Sequence, residues 1–151
     1  MIDHDTDRLA EQMEQKHDLL LQLRDLGLRQ IELIVQGDLS RLLKLLAAKQ
    51  RLMTALQSVD RGLEPFRNQD PDQRRWRTVD DRRRCAETAT RCEELLAAIV
   101  VQERHSEAEM TIRRDVVAAR LQGLHHAAQV HHAYSEEAAA RHSELDLSTQ
   151  G

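Results

Sequence analysis

Four histidines near the C-terminal end of the chain could form a metal site: His125, His126, His131 and His132. Zinc ligands on one helix usually stand at positions i and i+4, as in the His-Glu-x-x-His motif, because those positions share a face. Here the spacings between the two pairs are five, six and seven residues, and only His125 and His132 share a face, two turns apart. This spacing favours solvated or interface histidines, so we predict no metal and no other cofactor.

Two cysteines, Cys85 and Cys92, could supply a redox centre or a nucleophilic thiol. On one helix their separation corresponds to roughly 10 Å, at about 1.5 Å per residue. A disulfide within the chain needs Cα atoms closer than about 7 Å. Both cysteines fall on an apolar stripe, where a free thiol behaves as a small hydrophobic group. We therefore predict reduced, buried thiols, which are typical of a cytoplasmic protein.

An arginine-rich stretch around Trp76 could bind nucleic acid, with the indole ring as a stacking platform. Its basic residues are Arg74, Arg75, Arg77, Arg82, Arg83 and Arg84. Three aspartates lie in the same stretch, and the chain has a formal net charge of -4, so no extended basic surface is expected. We predict charges that solvate a helix end, and no binding of nucleic acid.

The composition indicates a helical protein without catalytic chemistry. There are only 5 Gly and 2 Pro in 151 residues, whereas a fold with many turns needs more of both. Aromatic residues make up 2%, so the bulk on which enzyme pockets usually draw is scarce. No Gly-rich phosphate-binding loop and no Gly-x-Ser-x-Gly elbow is present. We predict a protein that is not an enzyme and that acts by holding another protein.

Secretion and membrane insertion are not expected. The first five residues are polar and acidic, unlike a secretory signal peptide. The longest uncharged apolar run near the middle, residues 95–101, is too short to span a bilayer. We expect a cytoplasmic protein.

Two helices are predicted at about 6–36 and 39–63, because their apolar residues recur three or four apart. Gly37 is a natural helix terminator and Asp38 can cap the next helix, which favours a reversal over a kink. The second helix carries a stripe whose only polar members are Lys49 and Asp60: Leu39, Leu42, Leu46, Lys49, Met53, Leu56, Asp60 and Leu63.

Residues 64–78 are predicted to form the main loop, because Pro65 and Pro71 are incompatible with a helix interior. This stretch also holds two of the three aromatic residues, Phe66 and Trp76. Exposed aromatic side chains are unfavourable, so we predict that both fold back and plug one end of a helical bundle.

A third helix is predicted at about 79–141, after a capping-box-like sequence that begins at Thr78. The register falls on polar residues at Glu103 and Ser106, so one long helix and two helices broken near 104–108 are both consistent with the sequence. The polar tail, 143–151, is predicted to be disordered. The predicted fold is all-α: a single domain, 1–151, forming an elongated antiparallel bundle of three to four long helices with coiled-coil-like packing.

Residues 34–57 resemble the FlgN family of flagellar export chaperones. The similarity lies in a helix that ends near Gly37-Asp38, followed by a Leu-rich helix that carries Lys49-Gln50 and a Leu-x-x-Leu run. This resemblance implies a cytosolic helical bundle that binds the C-terminal helices of hook-filament junction proteins and delivers them to the export gate. By position, Tyr134 is similar to a tyrosine near the family's C terminus that takes part in docking at the gate.

The predicted partner-binding residues are Leu124, Ala127, Val130 and Tyr134. They form a stripe too thin to be a good core, and a helix of that kind gains stability by packing against a partner helix. A structural coiled-coil or adaptor protein without an export role is the alternative function, and a metal or redox protein is a third. The sequence leaves the oligomeric state, monomer or homodimer, open.

Overall fold

The computed structural model describes the backbone of residues 5–149 and the side chains of residues 5–142. Three long helices follow one another: α1 (Asp5–Gln36), α2 (Leu39–Arg67) and α3 (Val79–Thr149), with a short 3-10 helix at Pro71–Gln73. No strand occurs in the described part, and the helices pack against each other, so the predicted all-α helical bundle is confirmed. The chain divides into two compact units, Met1–Glu109 and Met110–Gly151, where the sequence had indicated one domain.

The reversal between α1 and α2 is built from two backbone features at Gly37 and Asp38. Gly37 has a φ of +72°, in the left-handed region where a Cβ is unfavourable. Its amide donates to the carbonyl of Ile34, and the amide of Asp38 donates to the carbonyl of Leu33, both at 3.1 Å. The Asp38 side chain then accepts from the Arg41 amide at 3.2 Å. One residue therefore ends α1 and its neighbour caps α2, as the sequence predicted.

Most of the buried apolar residues of the bundle fall into two clusters in the first unit. The cluster at one end contains Leu9, Val59, Leu63, Phe66 and Cys85, and the second contains Leu20, Leu23, Leu56, Cys92 and Leu95. From the first cluster to the second, the residue numbers rise in α1, fall in α2 and rise in α3. Helix α2 is therefore antiparallel to α1, and α3 is parallel to it.

The buried stripe of α2 differs from the predicted stripe by part of a turn. Its buried residues are Leu42, Leu45, Leu56, Val59, Leu63 and Phe66. Three members of the predicted stripe, Leu39, Leu46 and Met53, are exposed instead, together with Leu43. Leucine occupies both candidate stripes, so apolar spacing alone could not select the one that faces α1. We call the exposed residues Leu39, Leu43, Leu46 and Met53 the α2 row.

Lys49 and Asp60, the two polar residues in the predicted stripe, each pair with a side chain on another helix. Asp60 forms an ion pair with Lys16 of α1, with 3.0 Å between its Oδ1 atom and the lysine Nζ atom. Lys49 pairs with Glu103 of α3 and donates to the Oε1 atom of Gln30 of α1 at 3.0 Å. Burial lowers the pKa of Lys49, since desolvation disfavours the charged ammonium. These cross-helix pairs fix the relative register of the three helices in the bundle.

Helix α2 extends to Arg67, so the prediction that it ends at residue 63 and that residues 64–67 belong to a loop is wrong. Pro65 lies inside the last turn, two residues from the helix end. A proline there removes one main-chain hydrogen bond. That loss is offset by the burial of Phe66, whose carbonyl also accepts from Arg74 at 2.6 Å. The α2 helix therefore extends far enough to place Phe66 in the core.

The connection between α2 and α3 closes one end of the bundle. Phe66 is buried in the cluster around Leu9, and Trp76 packs against the same cluster, as predicted. Thr6 donates to the carbonyl of Arg75 at 2.8 Å, which ties the start of α1 to this connection. Two aromatic residues therefore cover the core where the three chain segments meet.

Helix α3 is continuous through residues 104–108, which decides between the one-helix and two-helix alternatives. Its first turn is capped by Thr78, whose hydroxyl accepts from the Asp81 amide at 3.0 Å. The helix backbone continues to Thr149, so the predicted disorder of the tail is wrong for residues 143–149. Residues 150 and 151 lie outside the described part.

Candidate functional site

The four histidine side chains do not converge on one point in the structure. His125 lies 3.2 Å from Gln129, and His132 pairs with Glu136 at 3.0 Å, each contact one turn along the same helix. All four histidines are exposed. Among the described residues, no group of three His, Cys, Asp or Glu side chains could hold a metal ion.

Both cysteines are buried free thiols in the bundle core. Burial raises the pKa of Cys85, and the nearby Arg74 opposes this shift only in part. Burial likewise raises the pKa of Cys92, with a smaller opposing effect from Lys16. A nucleophilic or redox-active thiol needs a lowered pKa and access to solvent. The environment of both thiols therefore fits core packing.

The arginine-rich stretch is largely paired with aspartates. Arg77 pairs with Asp7 at 2.7 Å, and Arg84 pairs with Asp81 at 3.0 Å. Arg82 also contacts an aspartate, at 3.3 Å, and Arg83 pairs with its own helix neighbour Asp80. The indole of Trp76 packs against the core, so its ring does not form an open stacking platform. Four of the six arginines are therefore paired with aspartates, and the indole ring is only partly exposed.

The segment 110–142 of α3, here called the distal segment, carries eight large apolar side chains among charged and polar residues, and all of its side chains are exposed. Contiguous exposed apolar surface on a soluble protein usually marks an interaction site. Its large apolar side chains are Met110, Ile112, Val116, Val117, Leu121, Leu124, Val130 and Tyr134. Helices that remain single in water are marginal unless they pack on something. The distal segment is therefore the candidate functional site.

Two apolar rows run along the distal segment. The leucine row consists of Met110, Val117, Leu121, Leu124 and Ala128. The tyrosine row consists of Val116, Gly123, Ala127, Val130 and Tyr134. In both rows the residues are separated by three or four positions or by two turns, so each row occupies one helix face. Arginine, histidine and glutamine residues lie between the rows, and the two faces can contact different partners.

The structure divides the predicted partner-binding residues between these rows. Ala127, Val130 and Tyr134 share the tyrosine row, and the Tyr134 side chain is 70% exposed. Leu124, at 67% exposed, belongs to the leucine row. At 3.6 residues per turn it lies roughly 90° around the helix axis from the other three. The predicted residues are therefore all exposed, and they span roughly 120° of the helix circumference.

Val117 and Leu121 are exposed residues that the predicted binding set omitted, although the apolar spacing of the leucine row was visible in the sequence. One further signal was available, namely the lengths of the helices. The 71 residues of α3 exceed the 32 residues of α1 and the 29 residues of α2 by more than a factor of two. Shorter helices cannot cover the whole length of such a helix, so some of its apolar spacing has to remain uncovered.

None of the helices in residues 5–149 combines the length and apolarity needed to cross a membrane. Comparison of the chain with protein-family models, with curated proteins and with solved structures finds no match.

Proposed function

We propose that this chain is a cytoplasmic flagellar export chaperone of the FlgN type. In this proposal it binds the C-terminal helices of hook-filament junction proteins and delivers them to the export gate. The observation that carries the proposal is the exposure of two apolar rows on the distal segment. The resemblance of residues 34–57 to the family supports the identity of the client, the protein that is bound.

The leucine row is the surface on which a client helix would pack. Val117, Leu121 and Leu124 project large aliphatic side chains from one face. Burying one such side chain contributes about 1.5–3 kcal/mol. A client helix with its own apolar face would recover this free energy, as helix-in-groove recognition does elsewhere. Part of the gain is consumed by lost translational and rotational freedom, so a reversible complex is expected. Reversibility is what delivery and release require.

The bundle has a different role from the distal segment in this mechanism. Its two core clusters contain most of the buried apolar residues between Leu9 and Leu95. The bundle therefore supplies folding stability, while the distal segment supplies an unoccupied apolar surface. No catalytic step enters this mechanism.

An adaptor or structural coiled-coil role without export is the second candidate. It is favoured by the presence of two rows on one helix, since such a helix can bridge two partner proteins. The two candidates differ in what they bind. A chaperone binds an unassembled flagellar protein, whereas an adaptor binds components of a lasting assembly.

Purification of the tagged chain from cells that natively express it tests this proposal. We expect a hook-filament junction protein to co-purify at a near-constant ratio and to be released by competition with its own C-terminal segment. Mass spectrometry identifies the bound protein, and the Leu124→Asp variant serves as a control that should lose it. Recovery of a non-flagellar assembly protein in its place would support the adaptor and reject the chaperone.

A further inference from the structure

We propose that the tyrosine row is covered by a second copy of this chain, whose distal segment runs antiparallel to the first. In this pairing Arg120 of one copy contacts Glu137 of the other, and two-fold symmetry repeats the contact. The inference goes beyond the proposed function, because it assigns a partner to the face that the client does not use.

The tyrosine row lies within a longer seam, which follows a heptad register with two kinds of position. One set of residues recurs every seven positions: Arg120, Ala127, Tyr134 and Arg141. The other set also recurs every seven positions: Val116, Gly123, Val130 and Glu137. Such a pattern places both sets along one seam of a two-helix coiled coil, in the positions called a and d. Every one of these side chains is exposed in the structure, so the seam has no occupant within the described part of the chain.

In an antiparallel pair, the a residues of one helix face the d residues of the other. In one register, each of these residues in one copy faces one of them in the other copy. It gives four successive layers, each made twice: Arg120 with Glu137, Ala127 with Val130, Tyr134 with Gly123, and Arg141 with Val116. Opposite charges meet in the first layer, and the aliphatic stem of Arg141 can lie across Val116 in the last. The seam is therefore complementary to itself only when the copies run in opposite directions.

The contacts within one chain do not explain why residue 123 is a glycine. A Cβ added at Gly123 would meet no atom within 4 Å, so its own chain does not require a glycine there. A glycine inside an exposed helix costs about 1 kcal/mol relative to alanine. In the antiparallel register Gly123 stands opposite Tyr134, the largest side chain of the row. The missing side chain makes room for the tyrosine ring of the second copy.

The charges select the antiparallel direction over the parallel one. A parallel pair would set Arg120 against Arg120 and Glu137 against Glu137, and like charges placed together disfavour a complex. In the single chain Glu137 accepts from Arg141 through Oε1 at 2.8 Å. This contact lies along the same helix and uses one of the two carboxylate oxygens of Glu137. Polar pairs inside an apolar seam are a known means of fixing register and direction.

Charge reversal of the full-length chain tests the pairing. Sedimentation equilibrium over a wide concentration range is expected to show a monomer–dimer equilibrium. Arg120→Glu alone and Glu137→Arg alone should each weaken the dimer roughly tenfold or more, because each variant places like charges in two layers. The two single variants mixed together should form a heterodimer, and the double variant R120E/E137R should recover the dimer. Arg114→Glu and Glu136→Arg, which change the same charges outside the seam, should leave it unchanged.

Three results would overturn the proposal. The first is a full-length chain that remains monomeric at all concentrations. The second is a dimer that the single reversals leave unchanged, which would place the contact on another face, such as the leucine row or the α2 row. The third is loss of the dimer in R120E/E137R, which would show that the two residues do not meet. Circular dichroism of each variant checks that helix content is retained, so loss of folding cannot imitate loss of pairing.

Discussion

Removal of residues 110–151 is expected to abolish client binding while leaving the helical bundle folded. The buried side chains of the described part all lie between Thr6 and Ser106, and both core clusters lie within residues 9–95. The distal segment contributes no buried side chain. A chain that ends at Glu109 therefore keeps every buried side chain of the described part. It loses at least two leucine-sized contacts to the client, which corresponds to roughly a hundredfold loss of affinity or more.

The measurement combines calorimetric binding with thermal unfolding of the shortened chain. Trp76 packs against the core cluster around Leu9, so its fluorescence follows the bundle and not the distal segment. We expect an unfolding transition close to that of the full chain, and a helix signal reduced in proportion to the residues removed. Client binding that survives the deletion would place the binding surface on the bundle.

Leu20→Ala is expected to lower the free energy of unfolding of the bundle by about 3–5 kcal/mol. Leu20 is 0% exposed and lies in the cluster that also contains Leu23, Leu56, Cys92 and Leu95. The substitution removes buried aliphatic carbons and leaves a cavity where all three helices meet, so the packing contacts of the neighbouring side chains are lost as well. A loss of this size is a large fraction of the stability of a domain of this length.

Leu28→Ala is the matched control, because it makes the same change on the same helix at a side chain that is 53% exposed. Surface substitutions of this kind usually change stability by less than about 0.5 kcal/mol. Urea unfolding followed by Trp76 fluorescence measures both variants. Equal losses for Leu20→Ala and Leu28→Ala would show that the cluster around Leu20 is not the core.

Local chain signals predicted much of the bundle. Gly37 and Asp38 have backbone consequences that depend only on adjacent residues, and both act as the sequence indicated. The burial of Phe66, Cys85 and Cys92 also followed from residue type. These predictions succeeded because each depends on a conformational preference or a hydrophobicity that the residue carries into any fold.

Signals that depend on a partner element could not be assigned from one sequence. Leucines lie on two adjacent faces of α2, and the choice between them is made by contacts with α1 and α3. Lys49 and Asp60 interrupted the predicted stripe, yet each has a partner on another helix. The sequence predicts a helix end at Pro65, because a proline removes a main-chain hydrogen bond. The burial of Phe66 that offsets this loss is a tertiary contact, which local sequence does not show.

The candidate site was predicted in composition but not in geometry. The sequence singled out a thin apolar stripe that needs a partner, and the residues of that stripe are exposed. Leu124 and Tyr134 lie roughly 80° apart around the helix axis, so a single partner helix would not contact both equally. Alanines lie between Leu124 and Tyr134 on both rows, so the spacing of apolar residues does not assign the stripe to one row. The proposed pairing of the tyrosine row with a second copy depends on charges at Arg120 and Glu137, which apolar spacing does not include.

The most direct measurement of the central claim is a calorimetric titration of two leucine variants with the C-terminal segment of a hook-filament junction protein. Leu124 is 67% exposed on the distal segment, and Leu43 is 68% exposed on the α2 row, so Leu124→Asp and Leu43→Asp make the same change at equal exposure. We expect Leu124→Asp to weaken binding at least roughly tenfold, through loss of one buried leucine and desolvation of a carboxylate, and Leu43→Asp to bind like the unaltered chain. Unchanged binding by Leu124→Asp, or loss of binding by Leu43→Asp alone, would contradict the assignment of the distal segment as the client-binding surface.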